Sequence, residues 1–220
     1  MLRKKKLSKR LAAIARIIED SGVETVCDVG TDHCYLPIHL AARCKKVIAC
    51  DRLEEPLARA RRNINLYKME NCISLRCGDG LSVLADFEAE AVVIAGMGGR
   101  EIAKILSTHI PYGIKIFIFQ PMNNYYFLRR SCMENSLKIN REFFIEDNGR
   151  LYLTMLCSFG SEVCSDFDLL YGKFIPYDDS PYSQKYLRRE LSRLIKISTV
   201  SSDPDVIRII DGLREVLKTP

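Results

Sequence analysis

The sequence predicts an α/β protein: a doubly wound, seven-stranded, mostly parallel sheet with a small helical hairpin at its C-terminus. Three observations carry this. An apolar run, Val23 to Val29, ends in a turn at Gly30 and gives way to a helix-like stretch from Leu36. Strand, glycine turn and helix form the opening unit of a doubly wound fold. Four further short apolar runs then alternate with helical stretches, until the alternation breaks at two longer runs, residues 137–146 and 151–158. These are joined through Glu146-Asp147-Asn148-Gly149, a hairpin signal, so one strand of the pair must run against the rest.

Each element follows from local pattern. Leu7, Leu11, Ile14 and Ile18 fall at helical spacing, which predicts an amphipathic helix over residues 7–20. After the first strand, a helix near 36–43 leads to Lys46-Val47-Ile48-Ala49-Cys50-Asp51, a strand ending in an acid. A basic helix over 54–68 precedes the third strand, Cys72 to Arg76, which runs into Gly78-Asp79-Gly80-Leu81. The fourth strand, Ala91 to Ala95, ends in Gly96-Met97-Gly98-Gly99, and a helix over 100–108 follows. The fifth, Lys115 to Phe119, ends in Gln120-Pro121-Met122-Asn123-Asn124, ahead of a helix over 125–136.

Residues 160–182 are polar and carry Gly172, Pro176 and Pro181, the composition of a linker with one short helix. Leu187, Leu191 and Leu194 mark a helix over 182–198. Ser201-Ser202-Asp203-Pro204 stops it and starts another, with Asp203 as cap and Pro204 at the first helical position. Val206, Ile210, Leu213 and Leu217 repeat at four-three-four spacing, as in a coiled-coil seam. Residues 1–160 are therefore expected to form one domain and residues 161–220 a helical, coiled-coil-like appendage.

Composition bounds the function. The chain has 220 residues and 47% apolar content, enough for a full core and against global disorder. No apolar run reaches membrane-spanning length, and the basic start is followed by no leader-like apolar segment, so a cytoplasmic protein without membrane contact is expected. Nine cysteines without C-x-x-C spacing suit reduced core thiols, and His33, His39 and His109 form no metal pattern. Neither a metal nor an obligate oligomer is expected; a monomer is the simplest assembly. The net charge of +5 is unevenly placed: Arg3, Lys4, Lys5, Lys6, Lys9 and Arg10 open the chain, Arg59, Arg61 and Arg62 follow, then Arg129 with Arg130, and Lys185, Arg188, Arg189, Arg193 and Lys196 come late. One such cluster is usually a solvated helix face; several together favour an anionic polymer as partner.

The first loop narrows the chemistry. A G-x-G-x-x-G fingerprint would put glycines where Asp32 and Tyr35 stand. The loop holds one glycine and two acids, Asp28 and Asp32, which would repel a pyrophosphate, so NAD and FAD are disfavoured. A cationic ligand suits it better, and S-adenosyl-L-methionine (SAM) has a sulfonium, an ammonium and no phosphate. The competing plain reading is an ordinary α/β turn with solvated acids. Asp51 lies roughly 20 residues past the glycine turn, where such folds place a carboxylate for two ribose hydroxyls; as a plain structural residue it would cap the next helix. Five β–α units closed by a hairpin give the Rossmann-like sheet of class I SAM-dependent methyltransferases rather than the all-parallel six of NAD domains.

The strings Leu7-Ser8-Lys9-Arg10-Leu11, Asp28-Val29-Gly30-Thr31-Asp32-His33, Leu36-Pro37, Gly78-Asp79-Gly80-Leu81, Ala95-Gly96-Met97-Gly98-Gly99 and Gln120-Pro121 occur in that order. Together they resemble the bacterial TrmK family, the tRNA (adenine(22)-N(1))-methyltransferases, over residues 7–158, and the helical tail is similar in kind. The resemblance implies that Asp28, Gly30, Asp32 and His33 line the methionine end of SAM and that Asp51, with Arg52 beside it, holds the ribose. It further implies that Gly78, Asp79 and Gly80 meet the adenine, while Ala95, Gly96, Met97, Gly98 and Gly99 border the methyl-transfer pocket. Met122 departs from the family pattern, which has asparagine after Gln-Pro.

The implied reaction is in-line methyl transfer to adenine N1 of tRNA. N1 carries a free lone pair, so alignment matters more than base catalysis. The ring becomes cationic, and Asp32, positioned by His33, is the candidate carboxylate for stabilising that charge; local turn hydrogen bonding is the plain alternative for both. N1 sits on the pairing edge, so the base must leave the stack. Tyr35, Tyr125, Tyr126 and Phe127 are candidates to stack on it, or core residues. The loop after the fourth strand lacks the Asn/Asp-Pro-Pro-aromatic motif with which amino-group methyltransferases hold their target nitrogen, which fits a ring nitrogen. The alternatives are methylation of a small molecule and a non-catalytic RNA-binding module.

Overall fold

The computed structural model describes residues 6–200 and 203–218. Arg3, Lys4 and Lys5 of the basic start, and Ser201 and Ser202, lie outside the described residues. The elements follow in the order α1 (Lys9–Ser21), β1 (Thr25–Val29), α2 (Tyr35–Leu40), β2 (Lys46–Asp51), α3 (Glu54–Leu66), β3 (Ile73–Cys77), β4 (Ala91–Ala95), α4 (Gly99–Leu106), β5 (Ile116–Gln120), α5 (Tyr125–Glu134), β6 (Leu137–Asp147), β7 (Arg150–Phe159), α6 (Asp166–Tyr171), α7 (Pro181–Ser198) and α8 (Pro204–Leu217). Gly80–Val83 and Ile175–Tyr177 form 3₁₀ turns. Among the described residues no helix is long and apolar enough to cross a membrane.

The seven strands form one sheet in the order β3-β2-β1-β4-β5-β7-β6. β1 to β5 are parallel, and β7 runs antiparallel to both β5 and β6. The expected hairpin forms, with a turn of only two residues because both strands run closer to it than predicted: Asn148 (φ 50°) and Gly149 (φ 76°) both adopt positive φ, the twist that joins adjacent antiparallel strands. The chain order reverses between β1 and β4, and at such a switch point the strand ends open a crevice.

Side-chain alternation along the strands builds two apolar layers. Val26, Val47 and Val93 point to the layer under α1, α2 and α3. Cys27, Val29, Ile48, Val92 and Ile94 point to the other, with α4, α5 and the C-terminal helices. Leu187, Leu191, Leu194, Ile210, Leu213 and Leu217 belong to that second layer too, so α7 and α8 form a hairpin whose apolar seam continues the core. Asp203 caps α8, its side chain accepting from the Asp205 amide, with Pro204 first in the helix.

The polar stretch 160–182 differs from a free linker. Leu169, Tyr171 and Ile175 are buried. Its polar groups are satisfied locally: Glu162 accepts from the Ile139 amide at 2.8 Å and pairs with Lys173 at 3.1 Å, and Asp178 accepts from the Ser180 hydroxyl at 2.8 Å. Beneath it lies a fully buried ion pair, Arg129 Nε to Glu142 Oε1 at 2.7 Å. Arg129 Nη1 also donates to the carbonyls of Leu169 (3.1 Å) and Leu170 (2.9 Å), tying α6 to α5. Gly172 (φ 85°) completes this seal, since a Cβ there would lie 2.1 Å from Glu142 Oε2. Burial outweighs the guanidinium and raises the Glu142 carboxyl above the ordinary range.

Candidate active site at the carboxyl ends of β1, β2 and β4

Parallel pairing brings the loop glycines together. The amides of Gly30 and Thr31 extend the ladder by donating to the Cys50 carbonyl at 2.9 and 3.0 Å, Gly78 N donates to Asp51 O at 3.0 Å, and Gly96 N to Gln120 O at 3.1 Å. Two cavities open above these strand ends. The larger, about 560 Å³, is bounded by Arg10, Asp28, Gly30 to His33, Ala95, Gly96 and Tyr152. The smaller, about 260 Å³, is bounded by Asp51, Arg52, Gly78, Asp79, Gly80 and Met97. Gly30 lines both, and the Met97 methyl rests on it: a Cβ at Gly30 would lie 2.3 Å from Met97 Cε, and φ is +76°. Glycine at position 30 is therefore fixed by both backbone and space.

Asp28 forms the floor of the larger cavity. It is 6% exposed, and burial pushes its carboxyl up to about 6; the Thr31 hydroxyl and the charge of Arg10 oppose that rise, and Asp51 adds to it. Arg10 arrives from α1 and is held by Gln120, which accepts from Arg10 Nη1 at 3.0 Å. Gln120 is itself completely buried and donates to Thr154 Oγ1 at 2.9 Å. The Arg10 guanidinium lies 5.4 Å from the centroid of the Tyr152 ring, and its backbone amide faces Asp147 Oδ2 at 3.4 Å. An inward cation thus stands beside a buried carboxylate, an arrangement able to hold a zwitterion.

Asp32 sits at the mouth, its side chain 53% exposed, in an uncommon left-handed conformation (φ 43°). Arg59 of α3 grips it, with Nε at 3.0 Å and Nη2 at 2.9 Å from Oδ1. His33 Nε2 lies 3.7 Å from Asp32 Oδ2, and its ring stacks on Tyr35. Asn63, one turn after Arg59, donates to the His33 carbonyl at 2.8 Å, so α3 fixes the loop at two points.

Other expected residues fall elsewhere. Gly98 and Gly99 do not border the cavities: Gly98 is the N-cap of α4, and a Cβ at Gly99 would lie 2.4 Å from the Asn124 carbonyl, so both are small to let that loop pass. Asp51 does not cap α3; Leu53 occupies that position and its amide donates to Asp51 Oδ1 at 3.2 Å. Tyr125 packs on Phe144 and Tyr186, and Phe127 lies under Arg100, so neither reaches the donor cavity, whereas Tyr35 does. Sequence reading missed Arg10, Asp147 and Tyr152 as wall residues and Gln120 as the buried partner that holds Arg10. Arg10 stood out as one cation of a basic cluster and within the Leu7–Leu11 string, neither of which places it in the cavity, and the Gln-Pro string was the one sign of Gln120.

Comparison with known proteins decides the family. A family profile described as a methyltransferase domain matches residues 7–155. The tRNA (adenine(22)-N(1))-methyltransferase of Bacillus subtilis (strain 168) is 30% identical over 196 residues, covering 84% of this chain and 82% of the relative. The chain belongs to the TrmK family. Among solved structures, B. subtilis TrmK superposes with a TM-score of 0.79 at 26% identity, over 97% of this chain and 96% of that one. A Streptococcus pneumoniae protein described as a candidate tRNA (m1A22) methyltransferase, solved in complex with SAM, superposes at 0.85 with 28% identity, over 96% of this chain and all of that one.

The elevated Asp28 carboxyl has a stability consequence. Its folded value exceeds the unfolded one, so the folded chain loses stability as pH rises from about 4 to about 6. Two pH units correspond to on the order of 3 kcal/mol. Asp28→Asn, free of ligand, is therefore expected to be more stable than the parent at pH 7.5 by up to that amount, with the difference closing near pH 4. Urea unfolding at the two pH values measures it; equal stability at both would place the carboxylate in a well-compensated site.

Proposed function

We propose that this chain transfers a methyl group from SAM to N1 of an adenine in tRNA, the adenine at position 22 that names its family. The observation that carries the reading is the buried, only partly compensated Asp28 carboxylate beside Arg10 at the sheet's switch point, in a chain belonging to the TrmK family. The cavities fit the donor on their own chemistry. A buried carboxylate at the floor calls for a cation, Arg10 for a carboxylate, and Asp51 and Asp79 at the second cavity for hydroxyl and amino donors.

Asp28 would hold the donor's ammonium, Arg10 its carboxylate, Asp51 its ribose hydroxyls and Asp79 its adenine amino group. Gly30 and Gly96 would leave room for close backbone approach. When bound, SAM supplies an electrophilic methyl group on a sulfonium. The chain's remaining task is alignment and exclusion of water, since adenine N1 needs no proton removed before it attacks. The bond to the methyl group forms at N1 as the methyl–sulfur bond breaks, and the positive charge passes to the adenine ring. Asp32 would stabilise that charge from the cavity mouth, with Arg59 and His33 setting its orientation. Because Arg59 already shares the carboxylate, the effect is smaller than that of an unpaired acid. We read residues 1–160 as the catalytic unit and residues 161–220 as the appendage, working as a metal-free monomer in the cytoplasm, where its substrate is found.

The test supplies methyl-labelled SAM to the protein with unmodified tRNA and with small-molecule fractions, and analyses the nucleosides released from the tRNA. Label in 1-methyladenosine, lost when adenine 22 is replaced by guanine, is expected. Label confined to small molecules, or found as N6-methyladenosine, would overturn the reading. Asp32→Asn is expected to lower kcat about 10-fold while leaving SAM affinity within about twofold. Unchanged turnover would remove Asp32 from the mechanism.

A further inference from the structure

A third depression, about 660 Å³, adjoins the larger donor cavity, and Tyr152 lines both. It runs from the loop after β5, past the β6–β7 hairpin, to α7. Its wall offers ring and thioether surface from Tyr126, Tyr152 and Met122, the last 42% exposed. Its cations are Arg150, Lys185 and Arg189. Lys185 is paired with Glu146 at 2.7 Å, and Glu190, the one acid among the described residues of its lining, is taken by Arg193 at 2.9 Å. Arg150 and Arg189 are exposed and make no side-chain hydrogen bond or ion pair among the described residues. Two uncompensated cations therefore face a surface that can also stack a base, directly beside the cavity where methyl transfer is placed.

We propose that this groove holds the RNA strand flanking the target adenine, with its phosphates on Arg150 and Arg189 and an adjacent base against Tyr126 and Met122. The inference rests on the tRNA reading above. An adenine extruded to expose N1 stays covalently joined to both neighbouring phosphates, so the cavity that receives it must adjoin a surface that accepts backbone charge. Alternating cations and aromatic faces are the pattern that binds unpaired nucleotides without reading their sequence. The charge argues against the other occupants. A second copy of this chain carries the same +5, and an apolar partner would desolvate two unpaired guanidiniums.

The test uses the full chain and the double variant Arg150→Ala/Arg189→Ala, both exposed positions outside the donor site. SAM affinity by calorimetry and kcat at saturating tRNA are expected to stay at the parent's values. The KM for tRNA is expected to rise about 10-fold or more. The slope of log affinity against log salt should shrink in magnitude by roughly 1.4, or roughly 0.7 for each lost contact to a single strand. Tyr126→Ala should also raise the KM, and Tyr126→Phe should restore it. A parent-like KM and salt slope in the double variant, with the parent methylating tRNA, would overturn the proposal while leaving the functional reading intact. So would loss of a concentration-dependent dimer in sedimentation with tRNA affinity unchanged, which would give the groove to a protein contact. A parent chain that binds SAM but neither binds nor methylates tRNA would remove the functional reading, and this inference with it.

Discussion

Asp28 is the fourth residue of a five-residue strand whose other members are apolar or half-buried, and parallel pairing with β2 and β4 fixes it on both sides. Its carboxylate is left almost wholly buried at the floor of the cavity, 6% exposed. The fold thus holds an acid in a low-dielectric crevice with partial compensation from Arg10 and the Thr31 hydroxyl, and the price is a carboxyl raised to about 6. The site around it is closely fitted. Gly30 must lack a side chain because its backbone is left-handed and the Met97 methyl rests on it, Gln120 accepts from Arg10 and so aims it, and Thr154 holds Gln120.

The same constraint separates this site from the dinucleotide sites of related folds. There the first loop offers bare amides to a pyrophosphate. Here Asp32 stands where the second glycine would be and Asp28 lies two residues before Gly30, one acid at the mouth and one sunk, so the loop selects positive charge. The two acids are unlike in environment. Asp28 is buried and only partly compensated, whereas Asp32 is exposed and gripped by Arg59. Their difference supports binding for the first and a weaker, outer electrostatic role for the second.

Much of this was legible in the sequence, for identifiable physical reasons. The five parallel strands announced themselves because each is an apolar run of strand length bounded by turn residues, and the hairpin because Asn148-Gly149 admits two successive positive φ values. Asp28, Gly30, Asp51 and Asp79 could be assigned to the strand ends, where they line the two cavities, because strand-end position and glycine context are local properties. Arg10, Gln120 and Tyr152 were not, because their roles arise from contacts across more than a hundred residues (Arg10 to Gln120) or from the closing hairpin, which no local pattern encodes. Polar composition made residues 160–182 look like a tether, when Glu162 and Asp178 are in fact consumed by nearby amides, hydroxyls and Lys173 above a buried ion pair. Gly98 and Gly99 illustrate the opposite error. A glycine-rich strand end suggested ligand approach, but these two make room for the Asn123–Asn124 backbone and side chain.

The central claim is that a buried carboxylate titrating near pH 6 receives the cationic end of the methyl donor. Calorimetric titration of SAM into the parent chain and into Asp28→Asn between pH 5 and pH 7 tests it directly. Affinity in the parent should climb as pH rises and level off above about 6, while the variant should bind weakly and show no such climb. Parent affinity that is the same at pH 5 and pH 7, or an Asp28→Asn variant that binds as tightly as the parent, would contradict the account.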